Sequence, residues 1–193
     1  MPARNTAKIG AAGVTRWRWG SGQDGAVRVS ARADYAVRAA LELAARPGLW
    51  TKAEAIADAQ DLPLPFLLQT LKQLRVEGVV EAKRGAEGGY RLTRPAAEVS
   101  VADLVRAVDG PLASVAGTLV EDLEYDGNAA ALRDTWVALR CAIRSVLVGV
   151  TLADLLGGEL PPVVVQLLAG DDAWTTDPGV RRRFEARREP GSA

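Results

Sequence analysis

Val79-Val80-Glu81-Ala82-Lys83-Arg84-Gly85-Ala86-Glu87-Gly88-Gly89-Tyr90-Arg91-Leu92-Thr93 is the stretch on which the fold turns. Residues 79–83 read as a strand. Residues 84–89 carry three glycines and read as a turn, and residues 90–93 alternate as the return strand, closed by Pro95. A hairpin alone is common, so the decision rests on what precedes it. Immediately upstream is a helical pattern ending near Glu77, with Phe66, Leu67, Leu71 and Leu74 on its core side and Gly78 as its stop. It opens from the tight turn Asp61-Leu62-Pro63-Leu64-Pro65, and Pro65 suits a first helical turn, where its missing N–H has no intrahelical partner to lose. Before that turn, Thr51-x-x-Glu54 has the form of a capping box and predicts a short helix to about Ala59. Earlier still, Ser30 caps a helix over residues 31–46 whose apolar face is Ala36, Ala39, Ala40, Leu43 and Ala44, stopped by Pro47-Gly48. Three helices followed by a hairpin is the order of a winged helix-turn-helix.

Downstream, Ser100-x-x-Asp103 is a second capping box, opening a helix to about Val108 that Asp109-Gly110-Pro111 breaks. Residues 112–128 read as a partly acidic linker. Residues 129–149 read as one long helix, with Leu132, Trp136, Leu139, Ile143, Val146 and Leu147 recurring at spacings of mostly three and four. The winged domain has already closed its core, so this stripe needs another surface, and the matching helix of a second subunit is the economical choice. Thr151-x-x-Asp154 caps a last short helix, Val163-Val164-Val165-Gln166-Leu167-Leu168 is apolar enough to pack back on the body, and from Asp171 the chain is a polar tail. The expected fold class is mainly α with a small β-hairpin. The divisions are a disordered extension over residues 1–27, a winged helix-turn-helix domain over 28–110, and a linker or sensor segment over 111–128. A dimerisation helix with a C-terminal packing segment covers 129–170, and a disordered tail 171–193.

Within the extension, Arg16-Trp17-Arg18-Trp19 has the composition of a nucleic-acid stacking motif, but a disordered extension is the simpler account of it. Patterned sequence starts at Val27, which an in-frame GTG start codon would encode, so translation is expected to begin near there.

Composition narrows the chemistry. The 193 residues hold no histidine, one cysteine and one methionine. Histidine-based acid–base catalysis, the Ser-His-Asp triad and histidine-ligated metals are excluded. So are an intrachain disulfide and a cysteine-rich metal centre built from one chain. No phosphate loop, dinucleotide fingerprint or metal-ligand spacing appears. The Gly85–Gly89 run lies between strands rather than ahead of a helix, so it cannot cradle phosphate as a P-loop does. The expected class is therefore not an enzyme. No apolar run reaches membrane-helix length and no signal peptide is apparent, so cytoplasm is the default location. The formal charge is zero, from 24 basic and 24 acidic residues, but it is unevenly spread. Residues 1–27 hold four basic and one acidic, residues 28–94 hold eleven and eight, and residues 95–193 hold nine and fifteen. A polyanion would meet the first half.

The chain resembles the Rrf2 family of bacterial winged-helix regulators, which includes an iron–sulfur cluster regulator, a nitric-oxide-sensitive repressor and a cysteine-metabolism repressor. The residues that carry the likeness begin with Arg28-Val29-Ser30, Tyr35-Ala36-Val37-Arg38-Ala39 and Ile56-Ala57. They continue with Leu71-Lys72-Gln73-Leu74-Arg75, Gly78-Val79-Val80, Arg84-Gly85 and Gly88-Gly89-Tyr90-Arg91-Leu92. The run Val101-Ala102-Asp103-Leu104-Val105-Arg106-Ala107-Val108-Asp109-Gly110-Pro111-Leu112 completes them, and the likeness covers residues 27–156. It implies a homodimer joined by the long helix and bound to double-stranded operator DNA. Two departures matter. Cluster-binding members carry three cysteines between the Asp-Gly-Pro break and the dimer helix, whereas residues 112–134 contain none and the lone Cys141 falls inside the helix, so no cofactor is expected. Some members also carry a glutamate in the recognition helix where this chain has Leu68, which could touch a thymine methyl or be partly buried.

In this reading the second helix of the helix-turn-helix enters the major groove and presents Pro65, Phe66, Leu68, Gln69 and Lys72. Gln69 is the candidate base reader, since its amide can donate and accept together against adenine. Lys72 suits phosphate, and Phe66 is placed equally well on the DNA or in the core. Arg84, with Gly85 allowing close backbone approach, suits a narrow A·T-rich minor groove. Turn geometry alone suffices for Gly88 and Gly89. Arg28, Arg32 and Lys83 are expected on phosphates, where they fix register. The operator is expected to be an inverted repeat and the regulator a repressor. For sensing, Cys141 is either a small buried apolar residue or a redox switch through an intersubunit disulfide or mixed thiol adduct. A small-molecule or protein effector beside Trp136, between the long helix and the winged domain, is the other route. The alternatives for the whole chain are a redox-responsive regulator switching through Cys141, and a winged-helix protein-interaction module that binds no operator.

Overall fold

The Ser30 hydroxyl accepts the Ala33 N–H at 3.0 Å and starts helix α1, Ala31–Ala44. The computed structural model describes residues 29–170 and 173–182, so Arg16–Trp19, Val27 and Arg28 lie outside the described residues. Helix α1 buries Ala33, Ala36, Ala39, Ala40, Leu43 and Ala44. Small side chains let other helices approach closely, and α2 (Ala53–Gln60), α3 (Leu64–Val76) and α4 (Val101–Asp109) all pack against it.

The expected Thr51–Glu54 capping box does not form. Lys52 is the residue that caps α2, without a side-chain bond to the helix. Thr51 lies one residue too early and is used as a strand. Its N–H donates to the Tyr90 carbonyl at 2.9 Å, and its own carbonyl accepts the Tyr90 N–H at 2.8 Å. Two backbone bonds of a sheet ladder outweigh one side-chain cap.

Helix α2 ends at Asp61 in the left-handed region (φ 49°), the Leu62 N–H closes on the Ala57 carbonyl at 2.9 Å, and Leu62 is buried. That turn redirects the chain into α3, which buries Leu67, Thr70, Leu71 and Leu74. The wing is β1 (Val80–Lys83) against β2 (Gly89–Leu92), antiparallel, with Val80 opposite Leu92 and Lys83 opposite Gly89.

The Ser100 capping box is present, with both reciprocal bonds to Asp103, and starts α4. Beyond Gly110 the expected plain linker contains a two-residue hairpin. Strand β3 (Ser114–Val115) pairs with β4 (Thr118–Leu119) across Ala116 and Gly117, both at positive φ (51° and 82°). A tight hairpin that follows the natural strand twist needs positive φ at both central residues. Alanine at the first does not announce it, which is why the sequence pattern reads as linker. Helix α5 (Leu132–Leu147) is shorter at both ends than the periodicity suggests, because residues Gly127–Ala129 wind into a 3-10 turn and Val148 caps the C-terminus.

The chain then returns to the winged domain. The Val101 N–H donates to the Val150 carbonyl at 2.9 Å and the Leu152 N–H to the Val99 carbonyl at 3.0 Å, so two capping boxes lie side by side across a Ser100–Thr151 bridge. Thr151 starts α6 (Leu152–Gly157), and Leu152 is fully buried. The Thr151 backbone N–H and hydroxyl both donate to the Asp154 carboxylate, at 2.8 and 2.7 Å, and hold it below the usual value of 3.8. Helix α7 (Pro162–Leu168) lies against α5 and leaves Val165 and Leu167 exposed. In the described part of the tail, Asp177 caps a helical turn by accepting the Gly179 and Val180 N–H groups at 2.8 and 3.0 Å. Among the described residues no helix is long and apolar enough to cross a membrane.

Candidate nucleic-acid interface

Helix α3 packs one face and offers the other to solvent. With Leu67, Thr70, Leu71 and Leu74 buried, Pro65, Gln69 and Lys72 stand along the opposite ridge, and all three are exposed. Phe66 is 60% exposed and Leu68 41%, so both belong to the surface; the core placement of Phe66 is excluded. Buried Thr70 spends its hydroxyl on the Phe66 carbonyl at 3.1 Å. Neither Gln69 nor Lys72 has a hydrogen-bond or ion-pair partner among the described residues.

The wing is held along its return strand and at its turn. Where β2 leaves the turn it pairs with Thr51 through Tyr90, and a Cβ on Gly89 would come within 2.4 Å of the Thr51 carbonyl oxygen. A Cβ on Gly88 would come within 2.1 Å of the Lys83 carbonyl oxygen, so close backbone approach accounts for both glycines. Near the tip, the Lys52 ammonium donates to the Gly85 carbonyl at 2.7 Å. Arg91 stacks over the Trp50 ring at 4.3 Å from its centroid, with Lys83 at 6.0 Å, and the Arg91 Nε donates to Glu81 at 2.6 Å. Arg84 is exposed at the start of the turn and has no partner among the described residues.

The structure thus brings Pro65, Phe66, Leu68, Gln69 and Lys72 together on one helix face, and Lys83, Arg84 and Gly85 together at the wing. Arg32 stands apart from both sets, exposed and paired with Asp109 at 3.3 Å. Sequence reasoning missed Trp50 and Lys52. Their signal was a Trp-Thr-Lys run ahead of α2, which the capping-box reading of Thr51 obscured.

The stripe residues Leu132, Trp136, Leu139, Ile143, Val146 and Leu147 are all half-buried, and α5 has no buried residue. The Trp136 Nε1 and Arg140 Nε atoms are shielded from solvent and have no acceptor among the described residues, while the Arg140 guanidinium pairs with Glu121. Cys141 is exposed, which corrects the reading of a small buried apolar residue. It lies two positions from Leu139, about half a turn round the helix and away from the stripe.

A helix-turn-helix whose second helix is bare, beside a wing that carries an unpaired arginine, defines a winged-helix DNA-binding protein of the transcription-regulator class. A family model described as "Rrf2: Iron-dependent Transcriptional regulator" matches residues 29–158, and the chain belongs to that family. It is 50% identical over 142 residues to an HTH-type transcriptional regulator of Mycobacterium tuberculosis H37Rv, covering 73% of this chain and 88% of that protein. It is 32% identical over 130 residues to the HTH-type transcriptional regulator CymR of Bacillus subtilis, covering 67% and 89%. Among solved structures, CymR, the global cysteine regulator of B. subtilis, superposes with a TM-score of 0.58 at 30% identity, covering 68% of this chain and 97% of that one. IscR of T. potens superposes with a TM-score of 0.56 at 28% identity, covering 80% and 96%. The chain is accordingly a DNA-binding transcriptional regulator, and the relatives it matches are regulators rather than enzymes.

The iron dependence in the family description meets a donor set that does not fit a cysteine-held cluster. The sequence has no histidine and one cysteine, and that cysteine lies on the exposed face of α5. Among the described residues no three acidic or cysteine side chains converge as metal ligands.

Proposed function

We propose that the protein is a homodimeric repressor that reads an inverted-repeat operator, with α3 in the major groove and Arg84 in the adjoining minor groove. The observation that carries this reading is the pairing of an unpartnered Gln69–Lys72 ridge with an unpartnered Arg84 on a wing braced by Lys52. Gln69 offers its amide to an adenine edge, Lys72 and Lys83 meet phosphates, and Gly85 lets the wing backbone approach. Arg32 at the start of α1 also serves a phosphate, by exchanging its exposed pair with Asp109 for the DNA backbone, and Arg28, outside the described residues, is assigned the same role from the sequence. The α5 stripe joins the two copies about a twofold axis, which sets two α3 helices about one DNA turn apart. Repression follows from occupancy, since a dimer seated on a promoter excludes polymerase. Release is assigned to a small molecule or partner protein acting beside Trp136, where two donors have no acceptor among the described residues.

Gel-shift titration at fixed salt tests the wing. Arg84→Ala is expected to weaken operator binding by roughly 1–3 kcal/mol. Unchanged affinity removes the wing from the interface, and a footprint covering a single half-site removes the dimeric mode.

A further inference from the structure

The first two turns of α3 carry no charged side chain; the first cation is Lys72. Thr70 is buried and bonded to the Phe66 carbonyl, which leaves Gln69 as the one hydrogen-bonding side chain able to reach a base edge from those turns. Yet the same turns expose two large apolar groups, Phe66 at 60% and Leu68 at 41%. They lie roughly a quarter-turn to either side of the Pro65–Gln69–Lys72 ridge, so they flank Gln69 rather than hide behind it. The thymine 5-methyl is the one apolar group on the major-groove edge of a base pair.

We propose that Phe66 and Leu68 are specificity-determining residues that pack on thymine methyl groups either side of the base pair facing Gln69, so that each half-site has a core of consecutive A·T pairs. The inference rests on the operator-binding reading above. It also fits the wing, because Arg84 is best served by the narrow minor groove of A·T-rich DNA. Discrimination at this core is by shape and methyl burial on two sides and by hydrogen bonds at one pair only.

The test uses the full chain. Bound sequences are selected from a random duplex pool, and each thymine of the enriched half-site is replaced in turn by deoxyuridine, which deletes only the methyl group. The expected result is a loss of roughly three- to sixfold in wild-type affinity at each of two positions flanking an adenine. Leu68→Ala becomes indifferent to uracil at one of them and Phe66→Ala at the other, while both variants keep the wild-type circular dichroism. An enriched operator that tolerates uracil everywhere, or losses that persist unchanged in both alanine variants, overturns the proposal alone. A pool with no enriched sequence overturns the operator reading and this proposal with it.

Discussion

Helix α1 buries six of its residues and α3 four, whereas α5, the longest helix of the three, buries none. Both regions are amphipathic and both read as helix from their spacing. They differ in what lies across the apolar face. Alanines on α1 let α2, α3 and α4 close around Leu43, Leu67, Leu71, Leu74 and Leu104 into one core. Among the described residues helix α5 packs mainly on the short turn Val120–Asp122, on α4 and on α7, and its stripe stays half-buried. Apolar periodicity therefore has two outcomes in one chain: in the first region it closes a core, and in the second it leaves a stripe that its own chain covers only in part.

The sharpest way to break that contrast is to damage each region in turn. Leu71 is fully buried, and Leu71→Ala is expected to cost about 2–5 kcal/mol, a large share of the roughly 5–15 kcal/mol that holds a domain folded. Chemical denaturation followed by circular dichroism measures it. In α5 a harsher change should do less to the fold. Ile143→Arg is expected to leave the denaturation midpoint of the winged domain within about 0.5 kcal/mol, in the range of surface substitutions. If the stripe joins two copies as proposed, Ile143→Arg should sediment as a monomer and bring affinity for a two-half-site operator down to that for one. If Ile143→Arg unfolds the chain as Leu71→Ala does, α5 is part of the core in its own chain and the contrast is lost.

A third change probes the seam where the two regions meet. Thr151 pairs with Ser100 and supplies two hydrogen bonds to Asp154. Thr151→Ala removes both hydroxyl bonds, the one donated to the Asp154 carboxylate and the cap accepted from the Asp154 N–H, keeps the backbone one, and is expected to lower the thermal midpoint by roughly 2–4 °C at neutral pH. Those bonds lower the Asp154 carboxyl in the folded state, so the stability they add is present above the unfolded carboxylate value near 3.8 and fades as pH falls below it. The gap between wild type and Thr151→Ala should therefore narrow between pH 6 and pH 3. A gap that widens in acid is incompatible with this assignment.

What could be read in advance follows the same division. The helix order, the hairpin, and the Ser100 and Thr151 caps are local signals that the tertiary structure leaves intact. Thr51 was misread because a backbone ladder from a distant strand claimed it. Phe66 could not be placed because a helix pattern fixes which residues share a face but not which flank the neighbours cover. The Trp50-Thr51-Lys52 run is visible in the sequence, but the roles of Trp50 and Lys52 are not, for a related reason. Their partners Gly85 and Arg91 lie some thirty to forty positions away in sequence and arrive only when the wing folds back on the segment before α2.

The smallest expected effect concerns Cys141, and it tests the open region at its far face. The stripe side of α5 is half-buried, while Cys141 lies half a turn away and is exposed. If the stripe joins two copies, the two Cys141 thiols point away from the twofold seam, and a disulfide between them would require the helices to rotate about their axes by roughly half a turn. Cys141→Ser is thus expected to leave both the sedimentation coefficient and operator affinity unchanged. In the native wild-type protein one thiol per chain should react readily with a small aromatic disulfide, with no covalent dimer on a non-reducing gel. A dimer band that forms under mild oxidation and disappears in Cys141→Ser would place the thiols at the seam. It would mean that the copies meet through the exposed face of α5 rather than through Leu132, Trp136, Leu139 and Ile143.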